Sequence, residues 1–512
     1  MDKLFPHIPF SDDETPLSWA ARQAAFHTGG RLVPFLKDLA VSPRDLWRGE
    51  PEAIESLCAR AGEDTERVLR NNILAITPHL LQLRGEQFAA DFTTRSETQF
   101  CPICLKEDRQ NQPRPYVAML HRLNWRLSHV RTCPTHNVPL HSVNAGKTSG
   151  HYYELHAMGD AVFEARPLKP RSPSPLQTYI ESRLDGKTGP EWLDGQRIDY
   201  AVRATELLGA LIVFGPNQST TKMTPDMWDH AGRAGWEVST NGEAAISTFL
   251  TDTISEAARK KRVVGPQNSL GVVYRWLAKA KQPADFPLAE IVRNAIVENM
   301  PLQPGQSVLG TQVDRPRFRT VASVASRMKV SFKTLYDELA AAGYVDPVNR
   351  PTGSAVLIDT QKTPDLVEAL ENSLSMNEAA DTLMIPQPFL VPLLNIGSLE
   401  RLHQRFDLSG KVGKQIDGRQ VQEVNECIER VVAIVGKTPR NYVDLDAAPK
   451  ACGTDLPTLL HLLLNGYLSK AKRKDGTHGL KAVLIDPIEV KDLLRTHKFR
   501  IDYKQLRMVS HD

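Results

Sequence analysis

Residues Phe100 to Leu140 read FCPICLKEDRQNQPRPYVAMLHRLNWRLSHVRTCPTHNVPL. Cys101 and Cys104 form a C-x-x-C pair, and Cys133 and His136 form a C-x-x-H pair. Two residues between ligands let a tight turn aim both ligand atoms at one point. Two such turns supply four tetrahedral positions around Zn²⁺. Protein then fills every position and leaves none for a catalytic water, so the expectation is one structural zinc per chain. A disulfide framework is disfavoured: no secretory signal is read and the chain is too long for a stapled mini-domain. A thioredoxin-like redox pair would sit beside a βαβ pattern, and none is visible. Free structural thiols are the remaining alternative. His121, His129 and His141 are spare imidazoles nearby, but only His136 has knuckle spacing.

The same residues carry a resemblance. CPICLKED, Pro115-Tyr116, His121-Arg122, Trp125, Cys133, His136 and Leu140 resemble the zinc-bearing core of the TniQ/TnsD family. PLSWAAR, Pro16 to Arg22, is similar to that family's Ser-Trp-x-x-Arg start. The resemblance covers roughly the first 145 residues. It implies a target selector in DNA transposition, which binds DNA or a guide complex and hands the site to an AAA+ ATPase. Double-stranded DNA, that ATPase and a transposase complex are therefore the implied partners, with the N-terminal domain implied as the ATPase contact. Many relatives carry more cysteines just after the C-x-x-H. Here that region reads His141-Ser142-Val143, so a second knuckle is not expected.

The whole chain has 512 residues, 41% apolar and 24% charged, an ordinary globular composition with room for about three domains. No apolar run reaches the ~18 residues of a membrane span, and a cytoplasmic protein is expected. Net charge is only +3, so any argument for nucleic acid rests on local charge. The fold class expected is mainly α: a zinc-knuckle helical domain (1–160), a helical middle domain (177–310), and repeated helix-turn-helix units at 311–360, 361–435 and 436–512.

In chain order, Leu4, Phe5, Ile8 and Phe10 read as anchors of an N-terminal arm. The pattern from Leu17 to about Leu83 reads as helical, with Thr77-Pro78 as a stop. Cys58 reads as a buried apolar residue. Pro115 to Val130 reads as a helix or hairpin over the metal. Arg122, Arg126 and Arg131 there either grip phosphate or offset the charge of a three-thiolate site. Residues 144–176 read as loop, with Arg166 to Gln177 as a linker. Helices are expected over Ile198–Phe214, Glu243–Leu250 and Leu288–Met300. The basic run Ala257 to Arg262 reads as a solvated helix face.

From Arg315 to Lys333 there are six basic residues and no acidic one. Val321, Val324, Ala325 and Met328 form one helical face, and Lys329-Val330 makes a turn. Ser331 is the N-cap expected for a second helix, Phe332 to Ala342. That spacing fits a helix-turn-helix whose second helix enters the major groove with Lys333, Thr334, Tyr336 and Asp337 outward. Arg315, Arg317 and Arg319 precede it as further DNA contacts.

An internal repeat extends the reading. Gly343-Tyr344-Val345 with Ala355 to Asp359 parallels Gly466-Tyr467-Leu468 with Ala482 to Asp486. Each unit reads as helix, turn, helix, β-wing, helix. The second wing carries Lys472, Arg473 and Lys474, placed at a wing tip to touch phosphate. A middle unit, Asn377 to Ile385, has the same first helix and turn. Pro388 and Pro392 interrupt its second helix, with helix disfavoured at Val391, which makes it a spacer or a protein-binding unit.

Gly146-Lys147-Thr148, Gly186-Lys187-Thr188 and Gly436-Lys437-Thr438 each resemble the end of a phosphate-binding loop. His141, Glu181 and Val431 stand where its first glycine is required, so the chain is not read as the ATPase. No His-Glu-x-x-His or Gly-x-Ser-x-Gly motif occurs. The leading expectation is a non-enzymatic DNA-binding adaptor; the alternative is a zinc-containing helix-turn-helix transcriptional regulator.

Overall fold

Short polar caps followed by proline set many of the helix starts. Thr15, Ser42, Ser174 and Thr224 each accept a backbone N–H at the head of Pro16–Thr28, Pro43–Arg48, Pro175–Leu184 and Pro225–Ser239. A computed structural model describes residues 3–94, 97–144, 151–260, 265–280, 285–347, 356–430 and 433–496. The fold is mainly α with small sheets. No helix among the described residues is long and apolar enough to cross a membrane. The chain divides into two compact units, one formed by most of residues 3–296 and the other by 297–306 together with 312–496.

In the first unit, helices run from Pro16 to Leu69, but the helical pattern expected to continue to Leu83 does not. Leu74–Ala75, Leu80–Leu83 and Glu86–Ala89 form a three-stranded antiparallel sheet, and Thr77-Pro78 is the turn inside it. The apolar run is short enough to serve either period, and pairing with Gln87-Phe88 decides it. Ile198–Phe214 is a helix with the expected bounds; Glu243–Leu250 lies within Gly242–Lys260, and the helix expected over Leu288–Met300 runs Pro287–Asn299, one residue earlier at each end. Lys261 and Arg262 of the basic run lie outside the described residues. So does Gly146-Lys147-Thr148.

The sequence boundary at 160–177 does not separate two cores. Leu83, Phe88, Leu127 and Val130 pack with Leu176, Ile180, Ile198 and Val202 in one cluster. Gln177 ties the seam further, accepting the amides of Arg131 and Thr132 at 3.1 Å and donating to the Thr132 carbonyl at 2.8 Å. Below it, Ile198–Phe214 crosses Pro225–Ser239 at glycines. A Cβ on Gly209 would fall 1.7 Å from the Ala231 oxygen, and one on Gly235 would fall 1.8 Å from the Thr205 oxygen.

The second unit holds the expected helix pair, Val321–Arg327 and Phe332–Ala341. Lys329 takes the left-handed conformation at φ 57° in the turn, and Ser331 caps the second helix through the Thr334 amide. The flanking strands differ from expectation. Leu357–Asp359 pairs antiparallel with Phe318–Thr320, which precedes the helices, and not with Tyr344-Val345. Thr352-Gly353 and Ala355 lie outside the described residues. Farther on, Lys472–Lys474 and Val483–Ile485 form an antiparallel hairpin in a four-stranded sheet, flanked by Ala433–Val435 and Val443–Asp444. The basic triplet is thus a strand, and Asp475-Gly476 is in the turn beyond it. Tyr467-Leu468 is not a strand. Residues 497–512 lie outside the described residues.

The three expected units share cores. Residues 379–428 and 445–490 build one cluster, while Leu402, Phe406, Leu408 and Val412 join Val321, Leu335 and Leu370 in another. Glu338 locks the second cluster by accepting the amides of Val412 and Gly413 at 3.2 and 3.3 Å. In the middle segment Met376–Leu383 is a helix with a Ser375–Glu378 capping box. Val391, expected non-helical, lies in the helix Leu390–Asn395. Pro392 is tolerated because it sits in the first turn, where its missing N–H has no intrahelical acceptor.

Candidate metal centre

Cys101 is the N-cap of the helix Pro102–Arg109, so its sulfur sits at the positive end of the helix, and Cys104 lies one turn in. Cys133 ends the two-residue strand Thr132–Cys133, which pairs with Val138–Pro139. The connecting knuckle is closed by Asn137 at φ 51°, whose amide bonds the Cys133 carbonyl at 2.9 Å. His136 is carried on that turn. The three sulfurs and one histidine nitrogen all lie within 4.8 Å of one another.

The distances suit one tetrahedral cation. Metal–sulfur bonds of about 2.3 Å and a metal–nitrogen bond of about 2.0–2.1 Å place sulfurs about 3.8 Å apart and sulfur about 3.6 Å from nitrogen. Cys104 and Cys133 sulfurs are 3.6 Å apart, and His136 Nδ1 is 3.6, 3.2 and 3.6 Å from Cys101, Cys104 and Cys133. The cysteines are buried at 0–2% exposure. Hydrogen bonds from Cys101 and Cys104 pull the Cys133 thiol far down, while those same contacts with Cys101 and Cys133 push Cys104 up. Three buried thiols sharing negative charge in this way are what a soft dication stabilises.

Glu107 is a residue that the spacing of ligands does not reveal. Its Oε1 is 3.0 Å from His136 Nε2, which turns Nδ1 toward the sulfurs. Its position one helical turn beyond Cys104, on the same helix, is the signal that marks it. The other imidazoles are committed elsewhere. His121 is fully buried with Nε2 3.1 Å from the Gln99 carbonyl, His129 stacks on Phe92, and His141 Nε2 lies 2.5 Å from the Arg166 carbonyl.

The three interleaved arginines also have internal partners. Arg122 donates twice to Asp108 at 2.9 and 2.8 Å, Arg126 donates to the Thr94 hydroxyl and lies over Tyr152, and Arg131 pairs with Glu206 at 2.7 Å. Arg122 also opposes the upward push on Cys104. The PLSWAAR stretch has a structural meaning: Ser18 donates to Glu14 at 2.8 Å, and Arg22 bonds Glu14 at 2.6 Å and the Val117 carbonyl at 2.9 Å. Trp19 donates to the Ile8 carbonyl at 2.9 Å. Burial pushes the Glu14 carboxyl up to about 7 against the pull of Arg22. The arm, the first helix and the 115–122 segment are thereby tied around the centre.

The helical N-terminal domain thus carries a Cys₃His cluster that could hold a metal ion. A family model described as TniQ matches residues 5–140, so this part of the chain is similar to the TniQ family. A TniQ domain marks a transposition-associated protein. No curated protein matches the chain.

The residues expected to meet DNA are placed unevenly. Arg315, Lys333 and Lys474 are exposed, and Arg317, Thr334, Lys472 and Arg473 are half-buried. Arg317 pairs with Glu298 at 3.0 Å, and Lys472 lies over the Tyr442 ring. Two expectations are corrected. Arg319 is 2% exposed and holds Glu371 at 2.5 Å and Gln303 at 2.9 Å. Tyr336 is buried at 8% and stacks on Phe332. Strand pairing of Arg319 with Ile358 points its side chain inward, and the apolar face of the second helix takes Tyr336 with Leu335 and Leu339. Arg319→Ala is expected to leave the largely buried Glu371 with only Arg327, 3.9 Å away, as its ion-pair partner and to destabilise the second unit by up to about 3–5 kcal/mol, read as a shifted urea midpoint.

Proposed function

We propose that this protein is a zinc-containing target-site selector in DNA transposition, which binds duplex DNA and recruits an AAA+ ATPase and a transposase complex. The match of residues 5–140 to the TniQ family carries this reading and favours it over a transcriptional regulator. Zinc is the metal that three thiolates and an imidazole in a closed tetrahedral set select. The N-terminal domain would meet the ATPase, and the chain would act as an adaptor without chemistry of its own.

The segments 311–360 and 436–512 would act as winged helix-turn-helix units, with 361–435 packed between them. Support comes from the four-residue turn between Val321–Arg327 and Phe332–Ala341, with Lys329 left-handed and Ser331 as cap. Lys333 and Thr334, at the head of the second helix, would reach base edges. Arg315 and Arg317 would hold the backbone beside them. In 436–512, the helix Leu456–Leu464 is followed by the basic hairpin strand Lys472–Lys474. Lys472, Arg473 and Lys474 would contact phosphate, which fixes register without reading sequence.

The test is binding of the full chain to duplex DNA across a salt series. Affinity is expected to fall with a log–log slope of about −0.9 per phosphate contact. Replacing Arg473 and Lys474 together by Ala is expected to weaken all sequences alike and flatten the slope by about 2. Lys333→Ala is expected to relax sequence preference by about 1–3 kcal/mol at one position. No binding at low salt would overturn the DNA reading.

A further inference from the structure

The second unit contains a groove of about 840 Å³ that shares only Lys474 with the residues proposed to meet DNA. One wall is the end of the helix Met376–Leu383 and the segment after it, with Met384, Ile385 and Phe389. The other is the strand Val443–Asp444 with the turn that follows. Leu445, Leu480 and Leu484, all nearly buried, form the floor. Met384 stands 46% exposed over it.

Three features limit what fits. Val443–Asp444 is the last strand of its sheet, paired with Val483–Ile485 on one side and with no strand on the other among the described residues. An unpaired strand edge lining a groove accepts another extended chain through main-chain hydrogen bonds. The apolar floor takes side chains from alternate positions of such a chain. The exposed carboxylates Asp381, Asp444 and Asp446 line the two walls beside the edge. Of the two lysines of the lining, Lys474 lies on the strand Lys472–Lys474, two strands in from that edge, and Lys481 lies in the turn before Val483–Ile485. Carboxylates beside the edge repel a phosphate backbone and attract cationic side chains. Pro386 in the wall has no N–H and cannot extend the helix over the opening.

We propose that this groove docks an extended segment of a partner protein, one in which apolar side chains alternate with lysine or arginine. The segment adds as a strand beside Val443–Asp444, its apolar side chains entering the floor by Met384 and Leu445 and its cations meeting Asp381, Asp444 and Asp446. This surface stands whether or not the basic strand Lys472–Lys474 binds DNA.

The experiment uses the full chain and a fluorescent decapeptide alternating isoleucine or valine with lysine. Two twins accompany it, one with glutamate for every lysine and one N-methylated at the amides of one edge. The lysine peptide is expected to bind, and both twins to bind at least about tenfold more weakly, which is about 1.4 kcal/mol. Met384→Glu, and separately the exposed pair Asp381→Lys with Asp446→Lys, are expected to cost a similar factor. The second variant leaves the Ala447 amide bonded to Asp444. Equal binding to the variants, equal binding of the twins, or no binding at about 1 mM peptide would overturn the proposal. Displacement of the peptide from the groove by duplex DNA would assign the groove to nucleic acid instead. Binding that appears only when Phe499, Ile501 and Tyr503 are replaced by Ser would give it to this chain's own C-terminal residues.

Discussion

Cys133→Ser is expected to release the metal and unfold the knuckle with its surrounding core. Cys133 is 1% exposed and is both a ligand and the end of the strand that pairs with Val138–Pro139. Apparent binding energies of structural zinc sites are about 10–16 kcal/mol, and that energy is folding energy because the unfolded chain has no assembled site. Losing one thiolate leaves three donors and two crowded, buried thiols. The metal-centred cluster of Phe100, Leu105, Met119, Trp125 and Leu155 would lose the link between its two halves. Cys101→Ser is expected to behave alike. Metal content by mass spectrometry and thermal melting read both effects. Cys58→Ser is the internal comparison: Cys58 is buried outside the cluster, its thiol pushed up to about 11 by burial, and its loss should leave metal content unchanged. Glu107→Gln should keep the fold but weaken metal affinity by about 10–100-fold, since it orients His136 and does not bind the ion. Full metal content in Cys133→Ser would refute the assignment.

Gly235→Val is expected to unfold the first unit's helical layer, and Gly209→Ala to destabilise it severely. At Gly235 an added Cβ meets the Thr205 carbonyl at 1.8 Å, and at Gly209 it meets the Ala231 carbonyl at 1.7 Å. Both obstacles are backbone of the facing helix, so no side-chain rotation relieves them. The helices must separate, which exposes Ala201, Leu208 and Ala231 and breaks the buried Thr205–Ser239 bond of 2.9 Å. A loss beyond about 4 kcal/mol is expected for either change. Gly232→Ala, on the same helix, supplies the contrast. There the nearest atom is Leu176 Cδ2 at 3.2 Å, the end of a flexible side chain. Alanine should be neutral or stabilise by up to about 1 kcal/mol through helix propensity. Urea midpoints of the three variants separate steric crossing from propensity; equal midpoints would show that the crossing is not tight.

Local rules made much of the chain legible. The clustering of Cys101, Cys104, Cys133 and His136 follows from two-residue spacings, because a tight turn fixes the geometry within each pair. Ser331 as cap, the helix after it, and Ile198–Phe214 follow from capping and period. Reading failed where a partner far along the chain decides. Leu74 to Ala89 carries enough apolar residues for either period, and cross-strand pairing made it a sheet. Val391 looked barred from helix by Pro392, yet the preceding turn put that proline where it costs nothing.

The sequence by itself determined that Cys101, Cys104, Cys133 and His136 form one cluster and that a capped helix pair follows Arg315. Both are set within a few residues, where chain connectivity and backbone sterics leave few choices. Tertiary structure alone decided which charges face water. Arg319 and Arg317 are two residues apart in one basic run, yet one is sealed against Glu371 and the other half-exposed. Arg122, Arg126 and Arg131 look like a phosphate grip until Asp108, Thr94 and Glu206 come to meet them. A charged side chain has no fixed direction in sequence; burial of a distant carboxylate beside it supplies one, because an ion leaves water only where another charge compensates it.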